Sequence, residues 1–129
     1  MTDLFACHNL VGKTINGWEV IQQLPKADSS KGETGGNFSI CYIVKNSDRK
    51  AFMKVFDLAR LYLRTLPPTI SRTDFIQNET TTFNYEKALS GYCRDRGISK
   101  VVYFIESGEI QLSEFTFPDV SFIVYEIAK

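Results

Sequence analysis

One hundred and twenty-nine residues, 43% hydrophobic and 23% charged, have the length and composition of one globular domain and not of a disordered or fibrous chain. Fifteen Lys and Arg balance fifteen Asp and Glu with no basic stripe along the chain, so nucleic acid and a polybasic membrane contact are not expected. The first ten residues carry Asp3 where a signal peptide carries positive charge, and no apolar run reaches the roughly 18 to 20 residues that span a bilayer, which makes the cytoplasm the expected location.

Trp18 to Leu24 has the aromatic and β-branched content of a strand, and the polar run Lys26 to Thr34 predicts a long mobile loop after it. Phe38 to Lys45 is nearly continuous apolar sequence, as in a strand covered on both faces, and Asn46-Ser47-Asp48 predicts a tight turn into Ala51 to Phe56. Asp57 is placed to cap a short helix through Leu58, Leu61 and Leu63 that must stop before Pro67-Pro68. From Ser71 to Arg96, Phe75, Glu79, Thr82, Phe83, Glu86, Leu89 and Cys93 recur at steps of three and four, which predicts one long helix stopped by Gly97. Val101 to Ile105 and Val120 to Ile127 complete the strands, joined through Ser107-Gly108 and Pro118-Asp119. The expected class is α+β: a five-stranded antiparallel twisted sheet with one long helix on a face. The last strand runs to Lys129 without a polar tail, so the chain is expected to be the front part of a longer protein, a small free-standing α+β domain being the alternative.

The chemistry-bearing residues are few. Cys7, Cys41 and Cys93 lack C-x-x-C spacing and read as reduced thiols. His8 is the sole histidine and lies in a stretch expected to fray, so Ser-His-Asp and Cys-His triads have no place to form; the Cys7-His8 pair is not read as a metal site, and no metal ligand is assigned. Lys54 is different. In the apolar strand AFMKVF its charge is costly to bury unless an opposite charge from elsewhere meets it. Glu86, on the helical stripe, could supply that partner, with Glu79, two turns earlier on the same stripe, as its rival. A lysine snorkelling at the sheet edge and a solvated helix glutamate are the plain alternatives.

In chain order, the loop Gly35-Gly36-Asn37-Phe38-Ser39, the strand with Lys54, the helix with Phe83, Glu86 and Leu89, and the apolar strand ending in Tyr125-Glu126 resemble the N-terminal lobe of the eukaryotic-like Ser/Thr protein kinases. The resemblance covers Trp18 to Lys129, leaving 1–17 as an N-terminal extension and 18–129 as a kinase N-lobe-like domain whose C-terminal lobe is absent. It implies that Lys54 holds the α- and β-phosphates of ATP, that Glu86 orients it, and that Gly35, Gly36, Phe38 and Ser39 form the phosphate loop. It also implies that Leu24, Cys41 and Ala51 cover the adenine, that Tyr125 is the gatekeeper, and that Glu126 to Ala128 begin the hinge. The glycine motif is altered: Ser39 replaces its third glycine and Cys41 its valine, and eleven residues separate Leu24 from Gly36 where the motif has room for two.

The resemblance implies ATP with Mg as cofactor, with the metal ligands and catalytic base in His-Arg-Asp and Asp-Phe-Gly segments that these 129 residues do not contain. The complete protein would then transfer the γ-phosphate to Ser or Thr of a protein substrate, the fragment alone being inactive. A pseudokinase or kinase-like interaction module, favoured by the altered loop, is the alternative, and an unrelated α+β binding domain is a third reading. The surface facing the missing lobe is expected to be apolar and to let the fragment self-associate. The Lys54 to Glu86 pair is expected to be open in the isolated chain, because the missing lobe and nucleotide steady that helix in kinases.

Overall fold

The computed structural model of the protein describes residues 2–24, 39–63, 65–95 and 104–127. Two 3-10 turns, Thr2–Leu4 and Ala6–His8, precede strands β1 (Thr14–Ile15), β2 (Trp18–Gln23), β3 (Ser39–Asn46) and β4 (Arg49–Phe56). Helices α1 (Leu58–Leu63) and α2 (Arg72–Asp95) follow, then β5 (Phe104–Gln111) and β6 (Asp119–Glu126). All strand pairs are antiparallel, in the order β1-β2-β3-β4-β6-β5. The class is therefore α+β with one long helix, as expected, but the sheet has six strands and not five. The loop at Lys26 to Thr34, the helix stop at Gly97 and the strand start at Val101 lie outside the described residues.

The additional strand comes from a short hairpin. Asn16 and Gly17 join β1 to β2 with φ of 51° and 84°, the left-handed backbone that a two-residue hairpin turn with right-handed strand twist demands. At the other edge, β5 runs straight through Ser107-Gly108, which composition alone places in a connection. Gly108 is there for packing: a Cβ at this position would come within 3.0 Å of Phe122 Cζ on the neighbouring strand. The chain reverses later, between Leu112 and Pro118, where the Leu112 N–H donates to the Pro118 carbonyl at 2.9 Å.

Alternation along β4 sends Ala51, Met53 and Val55 to one face, and Phe52, Lys54 and Phe56 to the other. The first face is the larger core, shared with Val20, Ile40, Tyr42, Val44, Phe122 and Val124. Its cover is the N-terminal segment, with Phe5, Ala6, Cys7 and Leu10 fully buried. Phe5 stacks on Phe117 at 4.2 Å, and the Tyr42 hydroxyl donates to the Cys7 carbonyl at 2.6 Å. Residues expected to fray as an extension are thus built into the domain, packed on the face that α2 does not cover beside Leu58 and Ala59 of α1.

The second face holds Phe56, Ile123 and Tyr125 against Leu61 of α1 and Phe83 of α2. Asp57 accepts the Arg60 N–H at 3.1 Å and so caps α1, and Ser71 accepts the Asp74 N–H at 3.4 Å at the start of α2. Among the described residues no helix is long and apolar enough to cross a membrane.

Two stability measurements check this packing. Gly108→Ala overpacks the fully buried Phe122 ring and should cost about 1 to 3 kcal/mol in urea unfolding. Burial raises the Tyr42 hydroxyl well above the ordinary tyrosine range, so the folded state holds that proton more tightly than the unfolded state does. Its contribution is complete below about pH 10 and is lost as pH rises beyond that value. Tyr42→Phe should cost about 1 kcal/mol at neutral pH, through the lost hydrogen bond, and flatten the alkaline decline of the urea midpoint.

Candidate functional site

Lys54 sits in the middle of β4, with Cys41 on β3 and Ile123 on β6 as its cross-strand partners. Partners in register share a face, so Cys41, Lys54 and Ile123 form one row across the sheet beneath α2. The helix is seated by Phe83, buried and stacked on Phe56 with ring centroids 5.0 Å apart. Three residues on, one turn along the same face, Glu86 meets the lysine: Lys54 Nζ donates to Glu86 Oε1 at 2.8 Å and to Oε2 at 3.0 Å. Side-chain exposures are 20% for Lys54 and 34% for Glu86, so the pair lies at the boundary between core and solvent.

Tyr125 completes the group. Its hydroxyl donates to Glu86 Oε2 at 2.6 Å, and its ring packs near Phe52, its cross-strand partner, at 6.3 Å. The carboxylate is therefore held by an ammonium and a phenol from two adjacent strands. A lysine ammonium has three donors, and two of them point at Glu86, leaving one for an anion.

The pair is closed in this chain, contrary to the expectation of an open one, and the reason is local. Helix α2 is tied down on three sides: Phe83 stacks on Phe56, Lys87 Nζ donates to Ser121 Oγ at 3.0 Å and to Glu109 at 3.3 Å, and Arg72 donates to the Leu61 carbonyl at 2.7 Å. Glu86, and not Glu79, is the carboxylate that meets Lys54.

The other residues named from the sequence scatter in an informative way. Ser39 is buried at the start of β3, opposite Phe56 and on the lysine's face. Leu24 is half-buried just beyond β2 and donates its N–H to the Cys41 carbonyl at 2.8 Å, which places it beside that row. Ala51 does not join them. It lies three residues before Lys54 on the same strand, faces the opposite core and is fully buried there, so it cannot cover a ligand held by Lys54. Phe52, two residues before Lys54, lies on the lysine's face. Glu126 is opposite Ala51 and reaches the surface, where it pairs with Arg49 at 2.6 Å. Gly35, Gly36, Phe38 and Ala128 lie outside the described residues.

The Tyr125 to Glu86 bond was not visible in the sequence; it depends on the β4 to β6 register, which no local motif encodes. A cleft of about 560 Å³ lies elsewhere, between α1, α2 and the β5 to β6 hairpin, lined by Tyr62, Thr80, Asn84, Ile110 and Phe117, and Lys54 is not part of its wall. Neither Cys7 nor Cys41 is in a disulfide, and burial pushes the Cys7 thiol up to about 11, which leaves it protonated and a poor nucleophile. No protein-family model matches the chain, and neither a curated protein nor a solved structure matches it.

A half-exposed ion pair contributes about 1 kcal/mol or less, so the fold should not depend on this one. Lys54→Met is expected to shift the urea midpoint only slightly, because Glu86 keeps its bond to Tyr125 and access to water. A loss of several kilocalories per mole would instead make the pair a structural support.

Proposed function

We propose that the chain is the nucleotide-binding lobe of an ATP-dependent protein kinase, with Lys54 gripping the α- and β-phosphates, Glu86 orienting Lys54, and Ser or Thr of a protein substrate as the final phosphate acceptor. The observation that carries this reading is the Lys54 to Glu86 to Tyr125 arrangement: a mid-strand lysine paired with a carboxylate that Tyr125 also holds, with one ammonium donor left for an anion. Its stabilising value is small and its placement is costly, which suits a residue kept for binding an anion more than one kept for the fold.

Phosphoryl transfer is catalysed mainly by positioning and by metal-held charge. Lys54 supplies the first part. The Mg ligands and the catalytic base are not among these residues, since neither His-Arg-Asp nor Asp-Phe-Gly occurs in the sequence. The adenine would lie against the face that carries Cys41, Phe52 and Tyr125, with Leu24 at its margin. The altered glycine loop favours a second reading, a pseudokinase or kinase-like docking module that keeps the lobe shape without turnover.

The two readings separate in one assay series. The 129-residue chain should bind ATP weakly and transfer no phosphate. In the full-length protein, Lys54→Met and Glu86→Gln should each lower phosphoryl transfer to a protein substrate by at least on the order of 10²-fold. Absence of transfer by the wild-type protein together with retained partner binding would favour the docking module. Undiminished transfer by Lys54→Met would exclude the kinase assignment of this lysine.

A further inference from the structure

Cys7 and His8 become part of a larger group once the chain is folded. Asp57, at the end of β4 and 49 residues away from His8, lies with its carboxylate 2.7 Å from His8 Nε2. The Cys7 sulfur, the His8 ring nitrogen and an Asp57 oxygen are all within 4.8 Å of one another. Cys7 and Asp57 are buried, whereas His8 keeps 17% of its side chain exposed. We infer that Cys7, His8 and Asp57 form a binding site for a divalent transition-metal ion of the zinc type.

The donor set identifies the class of ion. One sulfur, one imidazole nitrogen and one carboxylate oxygen suit a borderline ion such as zinc, whereas calcium and magnesium need an all-oxygen cage of six or more ligands. Charge favours the same ion. A thiolate and a carboxylate bring two negative charges beside a neutral imidazole, which a dication cancels inside the core. The surroundings also suit a metal-bound sulfur, because the Leu58 and Ala59 backbone N–H groups at the start of α1 are directed at Cys7.

Three protein ligands leave a fourth position for water, and the exposed edge of His8 gives it an outlet. Loading requires His8 Nε2 to exchange its bond to Asp57 for a bond to the ion, which widens that contact from 2.7 Å to about 3.3 Å, the ligand separation of a tetrahedral site. The Cys7 proton leaves to solvent as the metal–sulfur bond forms. The occupied site would clamp the N-terminal segment to the junction of β4 and α1. The inference is independent of the nucleotide reading, since Lys54 and Glu86 take no part in it.

Cobalt(II) is the direct probe, because a thiolate ligand gives it a near-ultraviolet charge-transfer band and four-coordination gives it intense visible bands. The reduced, metal-free chain titrated with Co²⁺ should gain both sets, and added Zn²⁺ should abolish them. Cys7→Ser should remove the charge-transfer band, and His8→Ala and Asp57→Asn should each weaken Co²⁺ binding by at least about 10-fold. Asp57→Asn retains the ability to cap α1, and circular dichroism verifies the fold of each variant. No band in the wild-type chain, or a band of full strength in Cys7→Ser arising from Cys41 or Cys93, overturns the inference. If Cys7→Ser does not fold, Asp57→Asn decides: undiminished Co²⁺ affinity there also overturns it.

Discussion

The alternation of β4 is the constraint on which both halves of the domain depend. All eight of its residues pair with β3 and five of them, Ala51 to Val55, pair with β6 as well, so a single slip in register would exchange Ala51, Met53 and Val55 for Phe52, Lys54 and Phe56. The first set has no polar atom beyond the backbone and disappears into the core beneath the N-terminal segment. The second set contains the one charge of the strand's central stretch, and it faces the helix. Pairing from both sides makes the lysine's position a property of the sheet and not of a loop.

Helix α2 is fixed by contacts other than the ion pair. Aromatic stacking on Phe56, the Lys87 bonds to Ser121 and Glu109, and the Arg72 bond to the end of α1 determine both its height and its rotation over the sheet. Glu86 then arrives at Lys54 as a consequence. This ordering matters physically, because a pair that did the docking would be fully buried, desolvated and expensive to open. A pair that is placed by its surroundings remains partly hydrated and can share its lysine with another anion at little cost.

Periodicity and turn chemistry made most of the fold legible. The helix, the β3 to β4 turn and the need of Lys54 for a carboxylate follow from local pattern, the choice of Glu86 over Glu79 rested on the resemblance, and the structure has a 24-residue helix at Arg72–Asp95 and the two side chains in contact. The six-strand count could have been read as well, since Asn16-Gly17 between Ile15 and Trp18 is a strong two-residue hairpin signal. Gly108 was legible only as a breaker, because its reason for being glycine is the Phe122 ring on another strand. Ala51 was misplaced by counting along a motif where strand parity decides: residues three apart on a strand oppose each other, whatever their resemblance. The burial of Phe5, Cys7 and Leu10 depends on which sheet face α2 leaves uncovered, a question that sequence pattern does not pose.

The N-terminal segment and the lysine site are also joined by unbroken contacts. His8 bonds to Asp57, and Asp57 caps α1. The Leu61 carbonyl of α1 accepts from Arg72 at the start of α2, and α2 carries Glu86 to Lys54. The path runs from His8 to Lys54 through hydrogen bonds and the two helices, and its second and last residues, Asp57 and Lys54, stand three apart in the chain. Contiguity of this kind is not coupling, which needs an element with two arrangements that both ends bias. Helix α1 is the candidate for such an element: it has only six residues, too few to be stable by propensity, so its order comes from the Asp57 cap and its packing. Whatever alters Asp57 therefore acts first on α1, and reaches Glu86 only to the extent that Arg72 follows.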